Sequence, residues 1–202
     1  MSDKVDIRQL SLEELTEKLV ALGEKPFRAK QVHEWLWKKR ATNFSDMTNL
    51  SLSLRKLIEE HFIINAIKLS EAQKSDDRTI KNAFLLADDA VIEGVLIPTK
   101  KRMTACVSVQ VGCSLDCAFC ATGKLKRVRN LNPDEIYDQV VMISNQAKEE
   151  YNIPLSNIVF MGMGEPLLNY KSVISSIDKI TSKQGLGMSP KRITVSTAGI
   201  AK

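Results

Sequence analysis

The chain has 202 residues, 44% of them hydrophobic, and 29 Lys and Arg against 24 Asp and Glu give it a formal net charge of +5. That is enough to bury a sizeable core in one large domain or two small ones. No apolar stretch approaches the roughly eighteen residues of a membrane span, and the polar, acidic start MSDKVDIRQLSLEEL lacks the apolar core of a signal peptide, so a soluble cytoplasmic protein without membrane contact is expected.

Residues 1–62 read as a helical module. Ser11 and Glu14 form a capping box, Leu12, Leu15 and Leu19 make an apolar stripe, and Gly23 ends the helix. Pro26 stands where a first-turn proline is tolerated, and residues 27–40 continue as a second helix. A third follows Ser51, with Leu54, Leu57, Ile58 and Phe62 along one side. Over 63–102 the pattern changes to β: the runs 79–86 and 90–97, separated by Asp88 and Asp89, predict a hairpin. A third β-like run covers 103–111.

From 103 onward strands and helices alternate. A helix is predicted from Asn132, with Pro133 at its first position and Glu135 completing a box. A strand at 158–161, a helix at 170–183 and a strand at 192–197 follow. The expected fold class is therefore α/β: a helical accessory domain (1–62), a β-hairpin linker region (63–102), then the first part of a parallel β/α barrel (103–202). About three parallel strands are too few to close a barrel, so the chain reads as a fragment.

Four cysteines are present, and their placement carries the chemistry. Cys113-Ser-Leu-Asp-Cys117-Ala-Phe-Cys120 has the spacing C-x3-C-x2-C, after a β-run and before a helix. Such crowding, without a secretion signal, points to metal or redox chemistry rather than a disulfide framework. Three thiolates can each bind one iron of a cubane cluster and leave the fourth iron open to a small molecule. The same thiols with Cys106 could instead hold zinc, although zinc sites usually pair ligands as C-x2-C and the two histidines, His33 and His61, lie in the helical module.

With Phe119 before the last cysteine, this loop resembles the signature of the radical S-adenosylmethionine (SAM) superfamily. The resemblance implies a [4Fe-4S] cluster on Cys113, Cys117 and Cys120 and SAM on its open iron, with Phe119 beside it. Gly162-Met-Gly164-Glu165-Pro166 follows a strand and resembles the superfamily's Gly-Glu motif, which holds the SAM amino group; Gly164 and Glu165 are expected there. Ser196, ending the next strand, would face the same rim.

Longer stretches narrow the likeness. Residues 24–33, 106–113 and 160–167 resemble the RlmN family of RNA adenine methyltransferases and its relative Cfr. Such enzymes methylate adenine at carbon 2 or carbon 8, in ribosomal RNA and in some members transfer RNA. The resemblance implies a methyl group carried on a C-terminal cysteine, Cys106 as the thiol that resolves the adduct through a disulfide, and Glu93 as the proton-accepting carboxylate. No cysteine follows Cys120, so the carrier is absent and the piece is expected to be inactive alone. A reducing donor of flavodoxin or ferredoxin type and a monomeric state complete these expectations.

Without the resemblance, Glu93 could simply be a solvent-facing acid, and a small buried hydrophobe is the commoner reading of a lone cysteine such as Cys106. RNA contact is expected at two basic stretches, although charge alone lets the first read equally as a solvated loop. Seven Lys and Arg against one acid, Asp116, occupy 100–130, including Lys124, Lys126, Arg127 and Arg129. Arg28, Lys30, Lys38, Lys39 and Arg40 accompany Trp35 and Trp37, one of which is expected in the core. A non-catalytic zinc-stabilised RNA-binding module remains the alternative from another class.

Overall fold

Local signals account for most of the helices. In the computed structural model, which describes residues 4–115 and 117–200, α1 (Leu12–Ala21) begins at Ser11, whose hydroxyl accepts from the Glu14 N–H while the Glu14 carboxylate accepts from the Ser11 N–H. The helix buries Leu15 and Leu19. α2 (Phe27–Trp37) buries Ala29, Val32, Leu36 and Trp37; it is shorter than expected because the chain turns at Arg40, which takes a left-handed φ of 61°. α3 (Leu52–His61) is capped by Ser51. Asp116, the acid in the basic segment, lies outside the described residues.

These helices, with residues 179–187, form one of two compact units; a short parallel pair, β1 (Val5–Asp6) and β2 (Phe62–Ile63), ties its ends together. Trp37 is the core tryptophan, whereas Trp35 is half-buried with Lys39 over its ring at 4.0 Å. His33 lies 3.4 Å from the Lys179 ammonium. Burial, then the Lys179 charge, push the imidazole down to about 4, so it is neutral at physiological pH.

The second unit is built on one six-stranded sheet. Its strands are β3 (Lys68–Lys74), β4 (Ile80–Leu85), β5 (Val91–Pro98) and β6 (Met103–Cys106), then β9 (Asn157–Phe160) and β10 (Ile193–Val195). Between β6 and β9 the chain makes a small hairpin of β7 (Gln110–Val111) and β8 (Arg129–Asn130), then α4 (Pro133–Tyr151); α5 (Tyr170–Thr181) separates β9 from β10. The order is β10-β9-β6-β5-β4-β3: β6, β9 and β10 are parallel neighbours, and the rest are antiparallel. The expected hairpin is thus continuous with the parallel strands and belongs to the second unit, because β5 pairs with β6 from Val95 to Pro98.

α4 starts as its sequence dictates, with Asn132 and Glu135 as a reciprocal cap and Pro133 in the first turn, and stops at Asn152 in left-handed conformation. Its buried Ile136, Val140 and Ile143 follow helical spacing. Each such burial contributes about 1.5–3 kcal/mol, more than the roughly 1 kcal/mol of a cap, so packing holds the helix and the cap fixes its start. The covered sheet face carries Phe84, Ile92, Leu96, Ala105, Ile158 and Phe160. By register, Glu93, Val95, Cys106 and Val159 share the opposite, less buried face.

Candidate functional site

The run expected as one strand over 103–111 is divided. Pairing ends at Cys106, and Val107–Val109 then cross the ends of the parallel strands, where the Val107 N–H donates to Val159 O at 3.0 Å and the Val109 N–H to Met163 O at 2.8 Å. Val107 and Val109 stay buried, which is why alternation suggested an unbroken strand. This crossing segment supports both halves of the candidate site.

One half is the turn after β9. Gly164 has φ +96°, and a Cβ there would lie 2.5 Å from the Gln110 side chain, so the position requires glycine twice over. Glu165 is 4% exposed. Its Oε1 accepts from the Leu167 N–H at 2.9 Å and the Thr197 hydroxyl at 2.5 Å, and its Oε2 accepts from the Ala198 N–H at 2.8 Å. Burial pushes the carboxyl up, but the Ala198 N–H, the Thr197 hydroxyl and the Leu167 N–H together outweigh it and hold it below the usual range. The result is a fixed carboxylate at the mouth of two parallel strands, with acceptor capacity left for a ligand's ammonium.

Ser196 was the residue expected to face this rim. Its side chain is exposed and its N–H donates to Phe160 O at 3.3 Å; Thr197, one residue on, reaches Glu165. Sequence reasoning missed Thr197. Finding it needs the β9–β10 register, in which Val195 opposes Phe160.

The other half is the cysteine loop, residues 112–128, hung from the β7–β8 hairpin. The Val128 N–H donates to Val111 O at 2.8 Å and the Cys113 N–H to Leu125 O at 3.2 Å. Gly112 has φ +74°, and a Cβ there would strike Lys126 O at 2.2 Å, so only glycine lets the strands close beneath the loop. All three loop cysteines are partly exposed free thiols, and Phe119 is 94% exposed. The Leu115 N–H points at Cys113 Sγ at 3.4 Å, and donors from Gly123 and then Thr122 hold the Cys120 thiol below its ordinary value.

Among the described residues no three His, Cys, Asp or Glu already stand as a metal-ligand group. The donor set still fits an iron–sulfur cluster in chemistry: three accessible thiols on one loop with a rigid base and N–H groups aimed at sulfur.

Cys106 ends β6, on the sheet face that also carries Glu93. Burial pushes its thiol up, opposed by the Met161 backbone. Glu93 is half-exposed and pairs with Lys81 at 2.6 Å. Arg129, expected among phosphate-facing cations, is otherwise engaged. It grips Asp88 at 2.7 and 3.0 Å and Glu135 at 2.8 Å through both terminal nitrogens. Glu135 first, then Asp88, hold it firmly protonated. Lys124, Lys126 and Arg127 therefore carry the loop's outward charge.

Residues 107–202 match the Radical SAM superfamily, and residues 5–64 match the family described as "Ribosomal RNA large subunit methyltransferase N-terminal domain". The "Probable dual-specificity RNA methyltransferase RlmN" of Christiangramia forsetii is 61% identical over 199 residues, covering 98% of this chain and 56% of the relative. The "Dual-specificity RNA methyltransferase RlmN" of Geotalea uraniireducens is 42% identical, over 98% of this chain and 56% of the relative. A solved radical SAM methyltransferase from Sphaerobacter thermophilus superposes with a TM-score of 0.85 at 37% identity, over 97% of this chain and 57% of that one.

With its cysteine loop and mixed, partly parallel sheet, the chain is a radical SAM superfamily protein. Within that superfamily it is similar to the RlmN methyltransferases over nearly its whole length. It spans about half the length of the curated relatives it matches. No described helix is long and apolar enough to cross a membrane.

Proposed function

We propose that the chain supplies the cofactor-binding part of a radical-SAM methyltransferase that makes 2-methyladenosine in ribosomal RNA and in transfer RNA. The observation that carries this reading is the Glu165 carboxylate, fixed by Thr197 and Ala198 and joined through Val109 and Met163 to the segment that leads into the cysteine loop.

Cys113, Cys117 and Cys120 hold the [4Fe-4S] cluster, with Phe119 beside it. Glu165 and the Gly164 backbone would receive the SAM ammonium, with Thr197, and Ser196 next to it in sequence, at the same rim. When bound, cluster and SAM together supply a radical able to take hydrogen from a methyl group, which carbon 2 of adenine requires because it is not a nucleophile. The methyl-carrying cysteine comes from outside this sequence. Cys106 would resolve the adduct by attacking the carrier's sulfur: the S–S bond forms as the bond from that sulfur to the transferred carbon breaks. The carbon keeps the electron pair and takes up a proton to become the methyl group, and Glu93, on the same sheet face, would accept the proton lost from the ring. A low-potential flavodoxin- or ferredoxin-type donor feeds the site, and the protein works as a cytoplasmic monomer.

RNA is held by the outward cations of the loop and by the basic face of the helical unit, where Lys39 stacks on Trp35. Mass spectrometry of adenosines from cells with and without the gene tests the reading. Loss of 2-methyladenosine is expected; loss of 8-methyladenosine would move the chemistry to carbon 8, and an unchanged pattern would refute both.

A further inference from the structure

We propose that Gln110 is the positioning residue of the Gly164–Glu165 turn, and through that turn of the ligand ammonium; the ligand rests on the radical-SAM reading, the turn does not.

Gln110 is fully buried between Val109 and Val111, which are themselves buried. An apolar residue would serve a hairpin strand there, and a buried amide costs stability unless both its ends are bonded. Both are. Its Oε1 accepts from the Glu165 N–H at 3.0 Å, across 55 residues of sequence, and its Nε2 donates to Asn130 Oδ1 at 2.7 Å. Asn130, its cross-strand partner, donates from Nδ2 to Leu168 O at 3.1 Å. The two side chains thus form a relay that holds the turn at the Glu165 N–H and at the Leu168 carbonyl.

The remaining contacts agree. The Gln110 N–H donates to Met163 O at 3.2 Å, and Gly164 lets the Gln110 side chain lie directly against the turn. Asn130 Oδ1 also accepts from Arg127 Nη1 at 3.2 Å, so the relay stands at the foot of the cysteine loop. A carboxylate that must meet an ammonium at hydrogen-bond distance gains from a backbone held at this accuracy.

The test is hydrogen exchange by mass spectrometry on the iron-free protein, with parent, Gln110→Leu and Gln110→Glu compared. Gln110→Glu keeps an acceptor for the Glu165 N–H and loses the donor to Asn130, so it guards against a leucine variant that fails to fold. Exchange over residues 163–168 should rise about tenfold in Gln110→Leu and less in Gln110→Glu, with α4 and β4–β5 unchanged. After anaerobic reconstitution, Gln110→Leu should keep the parent's iron while its Kd for SAM rises about tenfold and the SAM-induced change in the reduced-cluster electron paramagnetic resonance spectrum is lost. Unchanged turn exchange, or faster exchange throughout both variants, would overturn the proposal. Faster turn exchange in a protein whose parent form binds no SAM would support the positioning role and sink the ligand reading instead.

Discussion

The Thr197 hydroxyl donates to Glu165 at 2.5 Å, joining the ends of two parallel strands through side chains 32 residues apart. This bond opposes the cost of burying the carboxylate and fixes one of its two oxygens. Thr197→Val should therefore weaken SAM binding by roughly five- to tenfold while Thr197→Ser stays near the parent, as measured by anaerobic equilibrium dialysis. Equal affinity in the valine variant would remove Thr197 from the site.

Arg129 ties the end of the cysteine loop to the hairpin turn at Asp88 and to the first turn of α4 at Glu135. The Glu135 side chain is 7% exposed, so removing the cation strands a nearly buried carboxylate. Arg129→Met is expected to cost about 2 kcal/mol in urea denaturation, and Arg129→Lys to recover only part, because lysine cannot serve both carboxylates in bidentate fashion. A neutral Arg129→Met would mean that the network is solvated.

The thiols should differ in reactivity. In iron-free protein near pH 8, iodoacetamide should label Cys120 first, since its thiol is accessible and held low, and Cys106 last, since burial holds it high. Peptide mass spectrometry over a time course reads the order; early labelling of Cys106 would contradict the structure.

His33 gives a pH signature to the helical unit. Its imidazole titrates near 4 when folded against about 6.5 when unfolded, so below pH 6.5 the unfolded state binds more protons and stability falls with acidification. From pH 7.5 to 5 this should remove about 1 kcal/mol, after discounting for partial exposure. His33→Gln should flatten that part of the pH dependence of Tm. An identical slope in the variant would show that His33 does not titrate in this way.

Much of this architecture was legible in the residues. Ser11, Ser51 and Asn132 announce their helices by cap chemistry, and the alternating runs at 79–86 and 90–97 announce the β4–β5 hairpin. β3 was not legible: Lys68–Lys74 is exposed along its whole length, so it has no apolar alternation to read. The break after Cys106 was hidden because Val107 and Val109 are buried by loop contacts rather than by a ladder. Site residues that declare themselves by spacing, the cysteines and Gly164-Glu165, stood out at once. Thr197, Gln110 and Asn130 did not, since their roles depend on which strands become neighbours. Arg129 misled for the same reason, its two carboxylate partners lying 41 and 6 residues away.

The most direct measurement is iron and sulfide content after anaerobic reconstitution of parent protein and of single Cys→Ala variants. The account predicts a brown parent with a full cubane, colourless variants at Cys113, Cys117 and Cys120, and a Cys106 variant as iron-rich as the parent. Zinc at one per chain without iron, or loss of the cluster when Cys106 alone is replaced, would contradict it.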